Sequence, residues 1–341
     1  MPDFPRLSTP EDVPWGKITA PRGISHPKLS FYRFPVKRIS LVVVFIVTVS
    51  AAFPSPGMAR DADQVLDLWP ATAPGETTSN PGEALPRRET EIPPATRITG
   101  ITRPTLHLYL AKGESPRPLV LIFPGGGYKY VVVDKEGSEA ADWLNSLGIS
   151  AAVVRYRTLE PEPSQPTWVR PLQDGQRAVR LTRQHAKEWN IDPDRIGVLG
   201  FSAGGQAAAV VATRSESPGY EPIDAVDNHS CRPDFAMLLY PWNLVDKEGT
   251  LQEWVTASPA TPPTLFIHTH DDGVSSLSSA VLYVALKQLK IPAELHIYSS
   301  GGHGYGLRPV ENSDVDEWPQ RAANWLRSRG LTDTKQGTEK E

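Results

Sequence analysis

The sequence predicts an α/β fold, a mostly parallel β-sheet with helices on both faces. Three observations carry that prediction. Leu119-Val120-Leu121-Ile122-Phe123 is a continuous apolar run, the pattern of a strand covered on both sides. Runs of that kind alternate along the chain with segments whose apolar residues recur at helical spacing. A further apolar strand, 196–199, leads into Gly200-Phe201-Ser202-Ala203-Gly204 and then into the small-residue run 206–212, so a glycine-flanked serine sits where a strand turns sharply into a helix. Gly200 and Gly204 lack Cβ atoms, which lets strand and helix close up while Ser202 takes a strained conformation that lifts its Oγ above the sheet.

Composition excludes several function classes. The 341 residues carry 35 basic and 39 acidic side chains, a formal charge of −4 with no long run of one sign, so nucleic acid is not an expected partner. The single cysteine, Cys231, rules out an intrachain disulfide and a cysteine-based zinc cluster, and it reads as core filler. Many of the 34 prolines fall before Pro118 and in the connection 160–171, which read as loop or extended chain.

Taken in order, residues 1–35 are proline-rich and without sustained period. Lys37-Arg38 precede an apolar run, 39–53, followed by Pro56-Gly57-Met58-Ala59. A positive flank, a short apolar core and small residues at its exit match an export signal with cleavage after Ala59. The run is shorter than the ~20 residues of a spanning helix. An uncleaved anchor and a buried strand are the alternatives, and no cysteine follows to carry a lipid. The expected division is therefore a leader over 1–59, an irregular segment over 60–104, a catalytic domain over 105–331 and a charged tail over 332–341. An exported protein follows, in the periplasm or the medium, with no stable membrane partner beyond the signal itself.

Within 105–331 strands are expected at 106–110, 119–123, 150–155, 196–199, 235–240, 264–268 and 293–298, and helices at 137–147, 172–189, 206–212, 277–289 and 315–327. In such a sheet reactive groups collect at the carboxyl ends of the strands.

A serine hydroxyl is a poor nucleophile at neutral pH, so Ser202 needs a base, and the base needs a group to fix its tautomer. Both follow in the chain. The loop after strand 264–268 reads Thr269-His270-Asp271-Asp272-Gly273, and the one after strand 293–298 reads Ser300-Gly301-Gly302-His303-Gly304-Tyr305-Gly306. His303 is the candidate base because its glycines leave room for an imidazole to swing over the nucleophile. His268, ending an apolar strand, and His296, inside one, read as packing residues; His107 and His185 fit a half-buried strand and a helix surface. The acid is a choice between neighbours. Asp272, four residues on from His268, is favoured over Asp271, and the other carboxylate is expected to cap the next helix or stay solvated. Pro124-Gly125-Gly126-Gly127-Tyr128 follows strand 119–123, where bare backbone N–H groups would face an oxyanion together with that of Ala203. No Lys-Ser/Thr pair follows the triple glycine, which argues against a phosphate cradle.

With these pieces placed, the region from about 106 to 331 resembles the α/β-hydrolase superfamily, and more narrowly the secreted bacterial acetylxylan esterase and xylanase-associated esterases. The resemblance lies in Phe123-Pro-Gly-Gly-Gly-Tyr128, in the stretch from Asp192 through Phe201-Ser202-Ala203-Gly204-Gly205, in Ala293-Glu-Leu-His-Ile-Tyr298 and in Gly301-Gly-His-Gly-Tyr-Gly-Leu307. It implies an α/β-hydrolase fold, Ser202, Asp272 and His303 as a triad, and Gly126, with Gly127 or Gly125, plus Ala203 as the oxyanion hole. Relatives often carry proline shortly after the acid and histidine two residues after the glycine that closes the serine motif; here those places hold Val274-Ser275 and Gln206. Segment 214–233 is short for a lid and lacks an apolar face, which suits a polymer or bulky ester better than a lipid. Tyr128, Tyr156 and Trp242 are candidate aromatic platforms for a sugar or aryl group. The expectation is a serine esterase that cleaves acetyl-type esters on a polysaccharide such as xylan, without metal or organic cofactor. Its rivals are a peptidase of the prolyl-oligopeptidase kind, which shares the triad order but usually carries a large propeller domain, and a catalytically silent hydrolase fold serving as a binding module.

Overall fold

In a computed structural model of the chain, which describes residues 60–158 and 165–332, eleven β-strands and five α-helices form the elements that matter for the site. The expected leader with its apolar run 39–53, its cleavage point after Ala59, and the charged tail beyond Thr332 lie outside the described residues. Among the described residues no helix is long and apolar enough to cross a membrane.

The apolar runs become the middle of one sheet. β4 (Thr105–Tyr109), β5 (Arg117–Phe123), β7 (Ser150–Arg155), β8 (Ile191–Phe201), β9 (Phe235–Leu239), β10 (Thr264–Thr269) and β11 (Ala293–Tyr298) are joined by β1 (Gln64–Asp67) in the order β1-β4-β7-β5-β8-β9-β10-β11. From β7 to β11 every pairing is parallel; β1 and β4 add antiparallel strands at one edge. Helices cover both faces because β5 is apolar on both. Leu119, Leu121 and Phe123 join the core beneath α2 (Val169–Gln184), α3 (Ala203–Thr213) and α4 (Leu277–Gln288), while Val120 and Ile122 join the one beneath α1 (Glu139–Ser146) and α5 (Trp318–Ser328). Every residue of α3 is buried, which its alanine and glycine content permits at close helix–sheet distance.

Three expectations need correction. Segment 60–104 is not irregular: besides β1 it holds β2 (Pro81–Ala84) and β3 (Arg97–Ile101), which pair with β6 (Tyr130–Val132) in a small antiparallel sheet. These strands of three to five residues are too short to print a period-2 pattern, and their pairing is decided by distant partners. Most of the segment is exposed, but it is anchored into the domain at the buried Leu68 and Trp69: the Trp69 indole donates to Asp174 at 2.9 Å and the Arg177 guanidinium to the Leu68 carbonyl at 2.9 Å. The helix expected over 172–189 starts three residues earlier and gives way to turns after Gln184. The last one opens as a 3-10 turn, Asp314–Glu317, because proline at position 319 suits the first turn of the helix that follows. Segment 214–233 carries one 3-10 turn, Ala225–Asn228, and its Asp224 and Asp227 pair with Arg177 and Arg180 of α2.

Candidate active site

Four parallel strands deliver the candidate residues to one edge of the sheet. β5 ends in the glycine loop, β8 in Ser202, β10 in the Asp271-Asp272 pair and β11 in the loop of His303. Ser202 sits at φ 53° and ψ −118°, a conformation rare for a side-chain-bearing residue. It is held there by backbone bonds on both sides: its N–H donates to Leu239 O at 3.0 Å, and its own carbonyl accepts from Gln206 and Trp242 at 3.0 Å. The glycine two residues on is required for room, because a Cβ on Gly204 would lie 1.9 Å from the Phe123 carbonyl oxygen.

The structure brings Ser202, His303 and Asp272 together. Ser202 Oγ lies 2.8 Å from His303 Nε2, and His303 Nδ1 lies 2.8 Å from Asp272 Oδ2. With a carboxylate at Nδ1, the ring proton belongs on that nitrogen and Nε2 accepts from the serine. The Asp272 side chain is fully buried, which by itself would raise its pKa; hydrogen bonds from His268, His303 and the Val274 N–H outweigh burial and hold it at about 2. His268 is therefore more than packing: its Nδ1 faces Ser279 Oγ at 2.9 Å while Nε2 points between Val274 O at 3.1 Å and Asp272 Oδ2 at 3.4 Å. Asp271 caps no helix and stays exposed to solvent, but it is not without partners. It accepts the N–H groups of Gly301 and Gly302 at 3.2 and 2.9 Å and so fastens the histidine loop to the acid loop.

The glycine loop divides its labour. The Gly125 N–H is taken by Glu136 Oε2 at 2.7 Å, which removes it from the oxyanion candidates. The N–H groups of Gly126 and Gly127 have no partner among the described residues, and that of Ala203, first in α3, has no helical carbonyl to meet. Gly126 takes φ 141° against the Tyr130 carbonyl, and a Cβ there would lie 1.9 Å from that oxygen. β6 and β3 anchor the loop from behind, with Val132 N–H on Gly125 O at 3.1 Å.

Glu136 is the residue that sequence reasoning missed. It is 4 % exposed, its Oε1 accepts the Tyr240 hydroxyl at 2.8 Å, and that hydroxyl oxygen in turn accepts the Gly306 N–H at 3.0 Å. Burial raises its pKa against the hydrogen bonds from Tyr240 and Gly125. A chain of bonds thus runs from the glycine loop to the histidine loop, and the Tyr240 ring also meets His303 edge-on at 5.0 Å. In the sequence, Asp134-Lys135-Glu136 is an ordinary polar stretch with no sign of burial.

A cleft of about 710 Å³ opens over Ser202 and His303, lined by Gly126, Gly127, Tyr128 and Trp242 among others. Tyr128 and Trp242 meet edge-on at 6.0 Å, so both expected platforms reach the cleft. Tyr156 does not; it is fully buried and its hydroxyl donates to Pro124 O beneath the glycine loop.

Comparison with known proteins agrees with this architecture. A family model described as BD-FAE matches residues 106–237. The chain is 31 % identical over 245 residues to an acetylxylan esterase of Xylanibacter ruminicola, covering 64 % of this chain and 47 % of that protein. It is likewise 31 % identical to endo-1,4-beta-xylanase B of Butyrivibrio fibrisolvens, covering 59 % of this chain and 34 % of that one, so it spans less than half the length of these relatives. Among solved structures it is similar to an acetyl ester-xyloside bifunctional hydrolase from Caldicellulosiruptor lactoaceticus, with TM-score 0.63 and 31 % identity over 81 % of this chain and 100 % of that one. An α/β hydrolase from a deep-sea metagenome, MGS-M1, superposes with TM-score 0.54 at 28 % identity, over 69 % of this chain and 96 % of that one. From the sheet, the serine turn and a solved relative matched along its whole length, it follows that this chain belongs to the α/β-hydrolase superfamily.

Proposed function

We propose that the protein is a serine esterase that removes short acyl groups, acetyl above all, from a polysaccharide of the xylan type. The single observation that carries the reading is the relay Asp272–His303–Ser202, with both of its links at 2.8 Å. In this mechanism His303 takes the proton from Ser202 as its Oγ attacks the ester carbonyl. Asp272 holds the imidazole in orientation and stabilises the imidazolium that forms. The developing oxyanion is received by the N–H groups of Gly126, Gly127 and Ala203, a set of donors fixed before reaction. The alcohol leaves with the proton from His303, and water, activated by the same histidine, releases the acid. The substrate class is supported by the esterase and xylanase names among the relatives and by an open cleft with aromatic and polar walls.

The test is hydrolysis of p-nitrophenyl acetate, butyrate and octanoate and of acetylated xylan by residues 60–341 and by the Ser202→Ala variant. Preference for acetyl, release of acetate from the polymer and at least a 10³-fold loss in the variant are expected. Equal activity of the two proteins on every ester would refute the assignment of Ser202, and cleavage of a dipeptidyl anilide alone would favour a peptidase.

A further inference from the structure

Beside the catalytic cleft lies a second one of about 670 Å³, and Thr167 borders both. Its walls include Trp168, Trp254, Gln206, Asn243 and Gln252. Trp168 and Trp254 are stacked, with ring centroids 5.8 Å apart and 23° between planes, and both are half-buried. The Arg214 guanidinium locks the pair: it lies 5.1 Å from the Trp168 ring centroid and donates to the Trp254 carbonyl at 3.3 Å. A rigid aromatic surface of this kind loses little entropy when a ligand covers it.

Gln206 gives the cleft its second mark. It stands one helical turn from Ser202, is 1 % exposed, and its Nε2 donates to the carbonyls of Trp242 and Asn243 at 3.2 and 3.4 Å. Tethering the amide nitrogen leaves Oε1 as an acceptor, and that atom is buried without a partner among the described residues. Buried acceptors are ordinarily satisfied, by protein, water or ligand, so in a residue that lines the cleft this one is a candidate acceptor for a ligand hydroxyl. Fixed aromatic area beside the amides of Asn243, Gln252 and Gln206 matches a ligand that is apolar on its faces and hydroxylated at its rim. That is the chemistry of a pyranose ring. Among the described residues Glu253 is the one carboxylate lining the cleft and Arg214 is engaged, so those residues show no concentration of one charge for an ionic ligand.

We propose that this cleft is a neutral-sugar subsite, which holds the unit of the polysaccharide neighbouring the one whose ester faces Ser202. The proposal rests on the esterase reading for its place in catalysis but not for its binding chemistry, and the two are separable. The experiment is calorimetric titration of the protein with unacetylated xylotetraose, alongside kcat/KM on acetylated xylotetraose divided by kcat/KM on p-nitrophenyl acetate. Trp254→Ala is expected to lower both the affinity and the ratio about tenfold, and Trp254→Phe to restore most of each. Should the alanine variant not fold, Gln252→Ala is expected to lower both about threefold. Unchanged affinity and ratio in the folded variants, or no binding of xylotetraose by the unsubstituted protein while it cleaves esters, overturns the subsite. Binding that is lost in Trp254→Ala, in a protein that cleaves no ester at all, upholds the subsite and overturns the esterase reading instead.

Discussion

Replacing Glu136 tests whether the glycine loop is held in place from beneath. Both of its carboxylate oxygens already accept a proton donor, the Gly125 N–H at 2.7 Å and the Tyr240 hydroxyl at 2.8 Å, and the residue is 4 % exposed. Glu136→Gln keeps one acceptor and sets an amide N–H₂ against the other donor. The loss is one hydrogen bond to a carboxylate, about 1.5–3 kcal/mol. Glu136→Ala strands both donors in a dry site at about 1–3 kcal/mol each, on the order of 2–6 kcal/mol together, before any cavity term. Part of that cost falls on catalysis, because the freed Gly125 N–H lies one residue from Gly126. Full loss of an oxyanion donor costs about 10²–10³ in kcat, and a loosened loop should give about tenfold in Glu136→Gln with little change in KM for a small ester. The sign of the pH effect follows from burial. A carboxyl whose folded pKa is raised contributes stability that is full below its ordinary value and is lost as pH rises through the raised one. The unsubstituted protein should show that slope relative to Glu136→Gln, which has nothing to titrate there. Urea unfolding from pH 4 to 8 and kcat on p-nitrophenyl acetate are the assays. An unchanged kcat together with an unchanged urea midpoint would refute the argument that this carboxylate holds the loop.

Two further outcomes are expected. Asp272→Asn should cut kcat about 10⁴-fold, since an amide no longer selects the His303 tautomer that accepts from Ser202. It should also flatten the acid limb of stability: the carboxyl is lowered from its ordinary 3.8 to about 2, so its contribution is present above 3.8 and lost as pH falls to 2, a fall measurable by urea titration in the parent and missing in the variant. Gly126→Ala should lower kcat by at least tenfold and destabilise the protein by about 1–3 kcal/mol, because φ 141° and a carbonyl 1.9 Å from the new Cβ force the loop to move; wild-type kcat and an unshifted melting temperature would contradict the loop geometry.

Much of the molecule was legible before the structure. Strands buried on both faces, such as β5 and β7, print apolar runs, and β7 and the less buried β11 span the residues expected of them. The Ser202 turn is legible because part of its steric demand is local: a Cβ on Gly200 would lie 2.1 Å from the Gly204 carbonyl oxygen. β1, β2, β3 and β6 were not legible, since strands of three to five residues take their identity from pairing partners tens of residues away.

The sequence by itself determined the fold class, the serine turn and the two loops that hold the candidate acid and base, because each shows as a side-chain pattern or a glycine motif that can be read along the chain. Only the tertiary structure decided between Asp271 and Asp272 as the carboxylate beside His303, removed Gly125 from the oxyanion candidates and raised Glu136 to a bridge between two loops. Those choices turn on hydrogen bonds between residues 11 to 104 positions apart. Two adjacent aspartates, or one glutamate in a polar stretch, look alike until the chain folds and water is excluded from one side of them.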